Sequence, residues 1–74
     1  MKVEREGIEG FLSSNGWKRS ENPKKGSHIS WKKDGALRPA VVGMNYADIP
    51  EEHIRSILKA MGKSRADLRK FLGQ

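Results

Sequence analysis

The hydrophobic period of this sequence changes twice along the chain, and these changes constrain the fold more than any other feature. The first segment has the i, i+3, i+4, i+7 spacing of one helix face, carried by Ile8, Phe11, Leu12 and Asn15. Residues 28–32 instead alternate between polar and apolar side chains, which is typical of a strand with one buried face. Helical spacing then returns with Ile54, Ile57, Leu58 and Met61. The order of helix, strands and helix predicts an α+β domain.

Residues that begin and end helices frame these segments. Asn15-Gly16 is a typical helix end, because Gly adopts the left-handed conformation without a Cβ penalty. Pro50 suits the first turn of the second helix, and Gly62 ends that helix. Ser64 with Asp67 three residues later resembles a capping box, with Asp in place of the usual Glu or Gln. A short last helix is therefore predicted, and its apolar residues are Leu68, Phe71 and Leu72.

Three strands are predicted between the first two helices, at residues 17–21, 28–32 and 37–42. Pro39 has no N–H to donate, so the third strand is predicted at a sheet edge. The predicted fold class is α+β: an α-β-β-β-α domain with one antiparallel three-stranded sheet, helices on one face, and a short C-terminal helix. Trp17 and Trp31 are predicted in the core, with stacking on RNA bases as the less favoured alternative. The other sheet face is open to solvent and carries His28.

The predicted turn, Lys33-Asp34-Gly35, also sets a strand register. A three-residue loop places Trp31 opposite Leu37 and His28 opposite Ala40. Opposed residues share a face, so this register points Leu37 and Val41 toward the helices. It sets Arg38 on the open face, diagonal to His28, as a candidate phosphate clamp. A plain surface arginine is the equally weighted alternative.

Composition and length limit the classes of protein further. Seventy-four residues predict a single domain over 1–74, and the absence of Cys excludes a disulfide scaffold, a thiol nucleophile and Cys-containing zinc sites. The two histidines lack metal-site spacing, so no metal and no cofactor are expected. No membrane span or signal pattern is present, and a cytoplasmic protein without membrane contact is expected.

Positive charge is concentrated in the middle of the chain. The net charge is +6, and residues 18–38 contain seven basic and two acidic side chains, or +5. Such density suits a polyanion-binding surface, with a solvated, solubilising surface as the equally weighted alternative.

His28 is the best candidate for proton transfer near neutral pH, where unperturbed imidazole titrates. The loop before it supplies two cations and a glycine that permits close approach of a ligand: Lys24, Lys25, Gly26 and Ser27. Metal-free RNA cleavage needs these groups, because a base activates the ribose 2′-hydroxyl and cations stabilise charge on the phosphate. A solvated surface histidine is the commoner role for a lone strand His. Lys32 and Arg38 complete the predicted RNA-binding set, whereas His53 is predicted as a surface residue.

Several motifs together resemble the HicA family, also called YcfA-like, from about Ile8 to Leu72. They are Asn15-Gly16-Trp17, Lys25-Gly26-Ser27-His28, Arg38-Pro39-Ala40-Val41-Val42, Asp48-Ile49-Pro50 and Ile54-Arg55-Ser56-Ile57-Leu58-Lys59. The resemblance implies a fold like the double-stranded-RNA-binding domain and a type II toxin–antitoxin toxin. Such a toxin is an endoribonuclease (mRNA interferase) that cleaves mRNA, inhibits translation and growth, and is neutralised by a HicB antitoxin.

The resemblance also assigns individual residues. The family's Gly-Ser-His motif corresponds to Gly26-Ser27-His28, and its essential histidine to His28. Many members carry Pro just after the third strand, where this chain has Gly43-Met44-Asn45-Tyr46.

We expect the free protein to be a monomer. Two alternatives stay open: a non-catalytic RNA-binding module of the same fold, and an interaction domain for an acidic protein.

Overall fold

A computed structural model describes residues 3–20, 28–43 and 45–73, and it confirms the predicted α+β class. The elements follow one another as α1 (Arg5–Ser14), β1 (Lys18–Arg19), β2 (His28–Lys32), β3 (Ala40–Gly43), α2 (Glu51–Met61) and α3 (Arg65–Leu72). The strands form one antiparallel sheet in the order β1-β2-β3, so β3 is an edge strand as Pro39 predicted.

One hydrophobic core lies between the sheet and the helices. The sheet contributes alternate residues, as its period predicts: Ile29, Trp31, Ala40 and Val42. The rest of the core consists of Val3, Ile8, Phe11, Leu12, Trp17, Ile49, Ile54, Ile57, Leu58 and Leu68. Both tryptophans are buried, which confirms the predicted core role. The helices therefore cover one face of the sheet, and the opposite face carries mostly polar and charged residues, with Val41 as an apolar one.

The helix ends are those that the sequence predicts. Gly16 and Gly62 adopt positive φ values of 86° and 68° after α1 and α2. At the start of α3, the Asp67 backbone N–H donates to Ser64 Oγ at 3.2 Å and the Ser64 N–H donates to Asp67 Oδ2 at 3.0 Å. This is a complete capping box. The Ser64 backbone hydrogen bond lowers the pKa of the Asp67 carboxyl.

Two glycines of α1 face α3, and Gly7 lets it pack closely. A Cβ on Gly7 would lie 2.9 Å from Leu72 Cδ2, and one on Gly10 would lie 3.5 Å from Phe71 Cζ. The rings of Phe11 and Phe71 pack with centroids 5.4 Å apart. Both glycines weaken α1 as an isolated helix, and Gly7 allows the close approach of α3.

The connection from β3 to α2 is held by the N-terminal segment. The Arg5 N–H donates to the Ala47 carbonyl at 3.0 Å, and the Ile49 N–H donates to the Val3 carbonyl at 2.8 Å. These hydrogen bonds fix the course of residues 45–50, which carry Tyr46 past the end of β3.

The register between β2 and β3 differs from the predicted one. The turn lies where expected, with the Ala36 N–H donating to the Lys33 carbonyl at 3.0 Å and Gly35 at φ 86°. Pairing resumes only at Ala40, which is opposite Trp31. Pro39 cannot donate to the ladder, and residues 33–39 therefore form a longer loop instead of the start of a strand.

This shift of three residues reverses the faces of β3, because side chains alternate along a strand. Leu37 was predicted in the core but is fully exposed, with a relative exposure of 102%. Val41 was also predicted in the core but is 43% exposed, while Val42 is buried in its place. Arg38 lies in the loop beyond the end of the pairing, so its predicted position diagonal to His28 is wrong.

Candidate functional site

The open face of the sheet is built from the strand residues that point away from the helices. On β2 these are His28, Ser30 and Lys32, of which His28 and Lys32 are exposed and Ser30 is half-buried. The pairing adds Lys18 from β1, opposite Lys32, and Val41 from β3, opposite Ser30. Every charged side chain that the pairing places on this face is basic.

Lys18 and Lys32 face each other across paired strands. Like charges at directly opposed positions repel one another and destabilise a sheet. Within residues 3–20, 28–43 and 45–73, neither lysine has a carboxylate partner. An anion bound between the two ammonium groups would remove this repulsion.

A shallow groove of about 650 Å³ lies at the same end of the sheet, beside the β2–β3 loop. Its charged lining residues are Lys18, Lys32, Lys33, Asp34 and Arg38. Four cations against one carboxylate give this basic groove a net charge of +3. Lys32 is four residues along β2 from His28, a distance of about 13 Å. Arg38, predicted beside His28, therefore belongs to the basic groove at the far end of the strand.

The other predicted site residues precede His28. Lys24, Lys25, Gly26 and Ser27 lie outside the described residues, so their predicted RNA contacts stay predictions. His28 itself is the first residue of β2 and its side chain is exposed, as predicted.

A cluster that the sequence did not predict lies across the strand pair from His28. Gly43, the partner of His28 in the register, would place a Cβ 2.7 Å and 2.9 Å from Tyr46 Cδ2 and Cε2, and 3.8 Å from His53 Nδ1. The rings of Tyr46 and His53 meet edge to face, with centroids 5.2 Å apart at 87°. His53, predicted as a surface residue, is half-buried. The missing signal was the register, since only the observed pairing sets Gly43 beside His28.

Neither a metal centre nor a membrane span is found in the part of the chain that the structure describes. No group of three or more His, Asp or Glu there could hold a metal ion. None of its helices is long and apolar enough to cross a membrane.

No protein-family model matches the sequence, and no curated protein matches it. The functional assignment therefore rests on the motifs and on the geometry of the open face.

Proposed function

We propose that this protein is a HicA-like toxin of a type II toxin–antitoxin system, a metal-independent endoribonuclease that cleaves mRNA. The observation that carries the proposal is the exposed His28 on a sheet face whose paired strands contribute only basic charges. The motif resemblance and the α-β-β-β-α order support the same family. A HicB-like antitoxin is the proposed protein partner, and mRNA is the proposed substrate.

In the proposed reaction, the imidazole of His28 accepts the proton of a ribose 2′-hydroxyl. The resulting oxygen attacks the adjacent phosphorus, the P–O5′ bond breaks, and the departing 5′-oxygen takes up a proton. The products are a 2′,3′-cyclic phosphate and a 5′-hydroxyl. Lysine and arginine side chains stabilise the negative charge on the phosphate oxygens. The imidazole and the cations that this chemistry needs are all side chains of this protein.

The basic groove supports an RNA path along β2. It lies about 13 Å from His28, so a few nucleotides of one strand span the distance between them. The backbone of such a strand passes Lys18 and Lys32, whose mutual repulsion its phosphates relieve. The scissile bond then lies at His28 while neighbouring phosphates occupy the groove.

Cleavage of an end-labelled mRNA tests the catalytic role of His28. We expect His28→Ala to lower the cleavage rate by about 10²-fold or more. The melting temperature should stay unchanged, because the side chain is exposed. The double variant Arg69→Gln/Lys70→Gln is the matched control, because it alters charge on α3, which packs against α1.

Each outcome decides between the proposed function and its alternatives. A folded His28→Ala protein that cleaves at the wild-type rate would exclude His28 as the catalytic residue. Cleavage lost in EDTA and restored by Mg²⁺ would exclude a metal-independent reaction. Wild-type protein that binds RNA without cleaving it would identify the non-catalytic RNA-binding module. Growth inhibition that a protein encoded by the adjacent reading frame relieves would support the antitoxin pairing.

Salt dependence tests the RNA path. Removing both opposed lysines, in Lys18→Gln/Lys32→Gln, should reduce the slope of log K against log salt by about 1.4, or about 0.7 for each lost phosphate contact on a single strand. The Arg69→Gln/Lys70→Gln control should keep the wild-type slope. An unchanged slope in the first variant would place the RNA on another surface.

A further inference from the structure

Cleavage by the 2′-hydroxyl needs two proton transfers, one from the nucleophile and one to the leaving 5′-oxygen. We propose that His53 supplies the second, as the general acid that faces His28 across the end of the β2–β3 pair. This inference rests on the proposed function and adds a catalytic residue to it. His53 lies on α2, 25 residues from His28 in sequence, and only the fold brings the two together.

The position of Gly43 places His53 on the His28 side of the sheet. Gly43 and His28 are directly opposed, and opposed residues direct their Cβ atoms to the same face. The nearest atoms to a Cβ on Gly43 belong to Tyr46 and His53. The two rings therefore occupy the space beside the His28 side chain that a larger residue at position 43 would fill.

The separation of the two histidines suits one phosphodiester group. Paired Cα atoms lie about 5 Å apart, and His53 Nδ1 is 3.8 Å from the Cβ position of Gly43. Together with the Cα–Cβ bond at position 43, these distances place His53 Nδ1 within about 11 Å of the His28 Cα. The His28 side chain covers part of that span. A phosphate with one hydrogen bond to each imidazole spans about 8 Å.

Tyr46 acts as a positioning residue for His53. The two atoms nearest to a Cβ on Gly43 are Tyr46 Cδ2 and Cε2, so the tyrosine ring presents that edge to the strand. Its edge-to-face contact holds the His53 ring. Within the described residues, the His53 imidazole makes no hydrogen bond, and its recorded contact is the one with the Tyr46 ring. The titratable neighbours are Tyr46 in contact, His28 across the strands, and the exposed Glu52 on the same helix.

The proton inventory of the step balances. Neutral His28 takes the proton of the 2′-hydroxyl and becomes an imidazolium. The 2′-oxygen forms a bond to phosphorus while the P–O5′ bond breaks. Protonated His53 gives its proton to the departing 5′-oxygen and becomes neutral. The products are a 2′,3′-cyclic phosphate and a 5′-hydroxyl, and no co-reactant is consumed.

A sulfur substitution in the RNA tests this role directly. A 5′-bridging phosphorothiolate at the cleaved bond leaves as a thiolate, which needs no proton from an acid. We expect His53→Gln to cleave ordinary RNA about 10²–10⁴-fold more slowly than wild type. The same variant should cleave the 5′-thio RNA within a few-fold of the wild-type rate. His28→Ala should be slow on both substrates, and the Arg69→Gln/Lys70→Gln control on α3 should match wild type on both.

The outcomes separate this inference from the proposed function. Wild-type protein that cleaves neither RNA would overturn the proposed function itself. If wild type cleaves RNA, a His53→Gln variant with a normal rate on ordinary RNA would overturn only the role of His53. An equal loss on both substrates would also overturn it, because a general acid is dispensable for the thio RNA. His53→Asn, checked for folding by thermal unfolding, provides a second variant if the glutamine does not fit.

Discussion

The two faces of the sheet differ in what limits their side chains. On the covered face, Ile29, Trp31 and Val42 pack against helices and are almost completely excluded from solvent. On the open face, His28 and Lys32 are exposed, and Lys32 is opposite a second lysine. Burial contributes about 25 cal/mol per Å² of apolar surface, so the covered face supplies most of the sheet's stability.

The difference shows that one face can tolerate unfavourable pairings because the other stabilises the fold. Two opposed lysines with no carboxylate partner among the described residues cost some stability, and that cost is small beside the burial of a complete core. The open face is thus free to carry charges arranged for a ligand.

Adjacent valines on β3 test the division most strongly. Val42→Asp places a carboxylate in the core and should cost about 3–5 kcal/mol of unfolding free energy, much of the stability of a domain this size. Val41→Asp lies on the open face and should change stability by less than about 1 kcal/mol. Urea unfolding of the two variants measures both. A larger loss of unfolding free energy in Val41→Asp than in Val42→Asp would support the register predicted from the sequence instead of the observed one.

Gly43 marks a corner where the open face is also packed. Gly43→Ala brings a methyl group to 2.7 Å from the Tyr46 ring, and we expect a loss of about 1–3 kcal/mol. The shift of Tyr46 should lower RNA cleavage more than RNA binding. Gly10→Ala is the matched control, since its Cβ meets Phe71 at an ordinary 3.5 Å and the helix gains up to about 1 kcal/mol. Equal effects of the two substitutions would show that Tyr46 does not rest on Gly43.

The capping box of α3 should affect stability without affecting the open face. Ser64→Ala removes the hydrogen bond to the Asp67 N–H and should cost about 1 kcal/mol, or about 4–8 °C in melting temperature. Because the folded pKa of Asp67 is lowered, its contribution is present at neutral pH and lost as the pH falls through that folded pKa. Asp67→Asn should flatten this acid loss. A Ser64→Ala variant with altered RNA affinity would show that α3 and the open face are coupled.

Lys32→Glu should produce the smallest change in stability, and this change should be a gain, whereas Val42→Asp and Ser64→Ala should cause losses. It converts the repulsive pair with Lys18 into an attractive one, so we expect a gain of about 0.2–1 kcal/mol. RNA affinity should fall at the same time, because a carboxylate replaces a phosphate-binding ammonium. Lys33→Glu, at a position with no opposed lysine in the described pairing, should weaken RNA binding without the gain. A stability loss in Lys32→Glu would mean that the two lysines do not repel.

The helices could be predicted in detail because their signals are local. Gly62 ends α2 and Ser64 with Asp67 begins α3, and each acts through backbone groups within a few residues. The strand from His28 to Lys32 has a clean alternation that permits a single interpretation. These features needed no knowledge of the rest of the chain.

The register of β3 could not be predicted, because two adjacent valines fit either face equally well. The choice depends on how long the β2–β3 loop is, and Pro39 delays pairing beyond the tight turn at Gly35. The same non-local choice decides which residue is opposite His28. The Tyr46–His53 cluster could therefore not be predicted, because the sequence does not reveal that Gly43 is opposite His28.

The burial of both tryptophans makes their fluorescence a report on the core. Trp17 and Trp31 are 4% and 7% exposed. Indole emission should therefore shift to the red only when the core opens. A ligand on the open face should leave the wavelength of that emission unchanged. Unfolding can thus be followed in the presence of such a ligand, with no label attached.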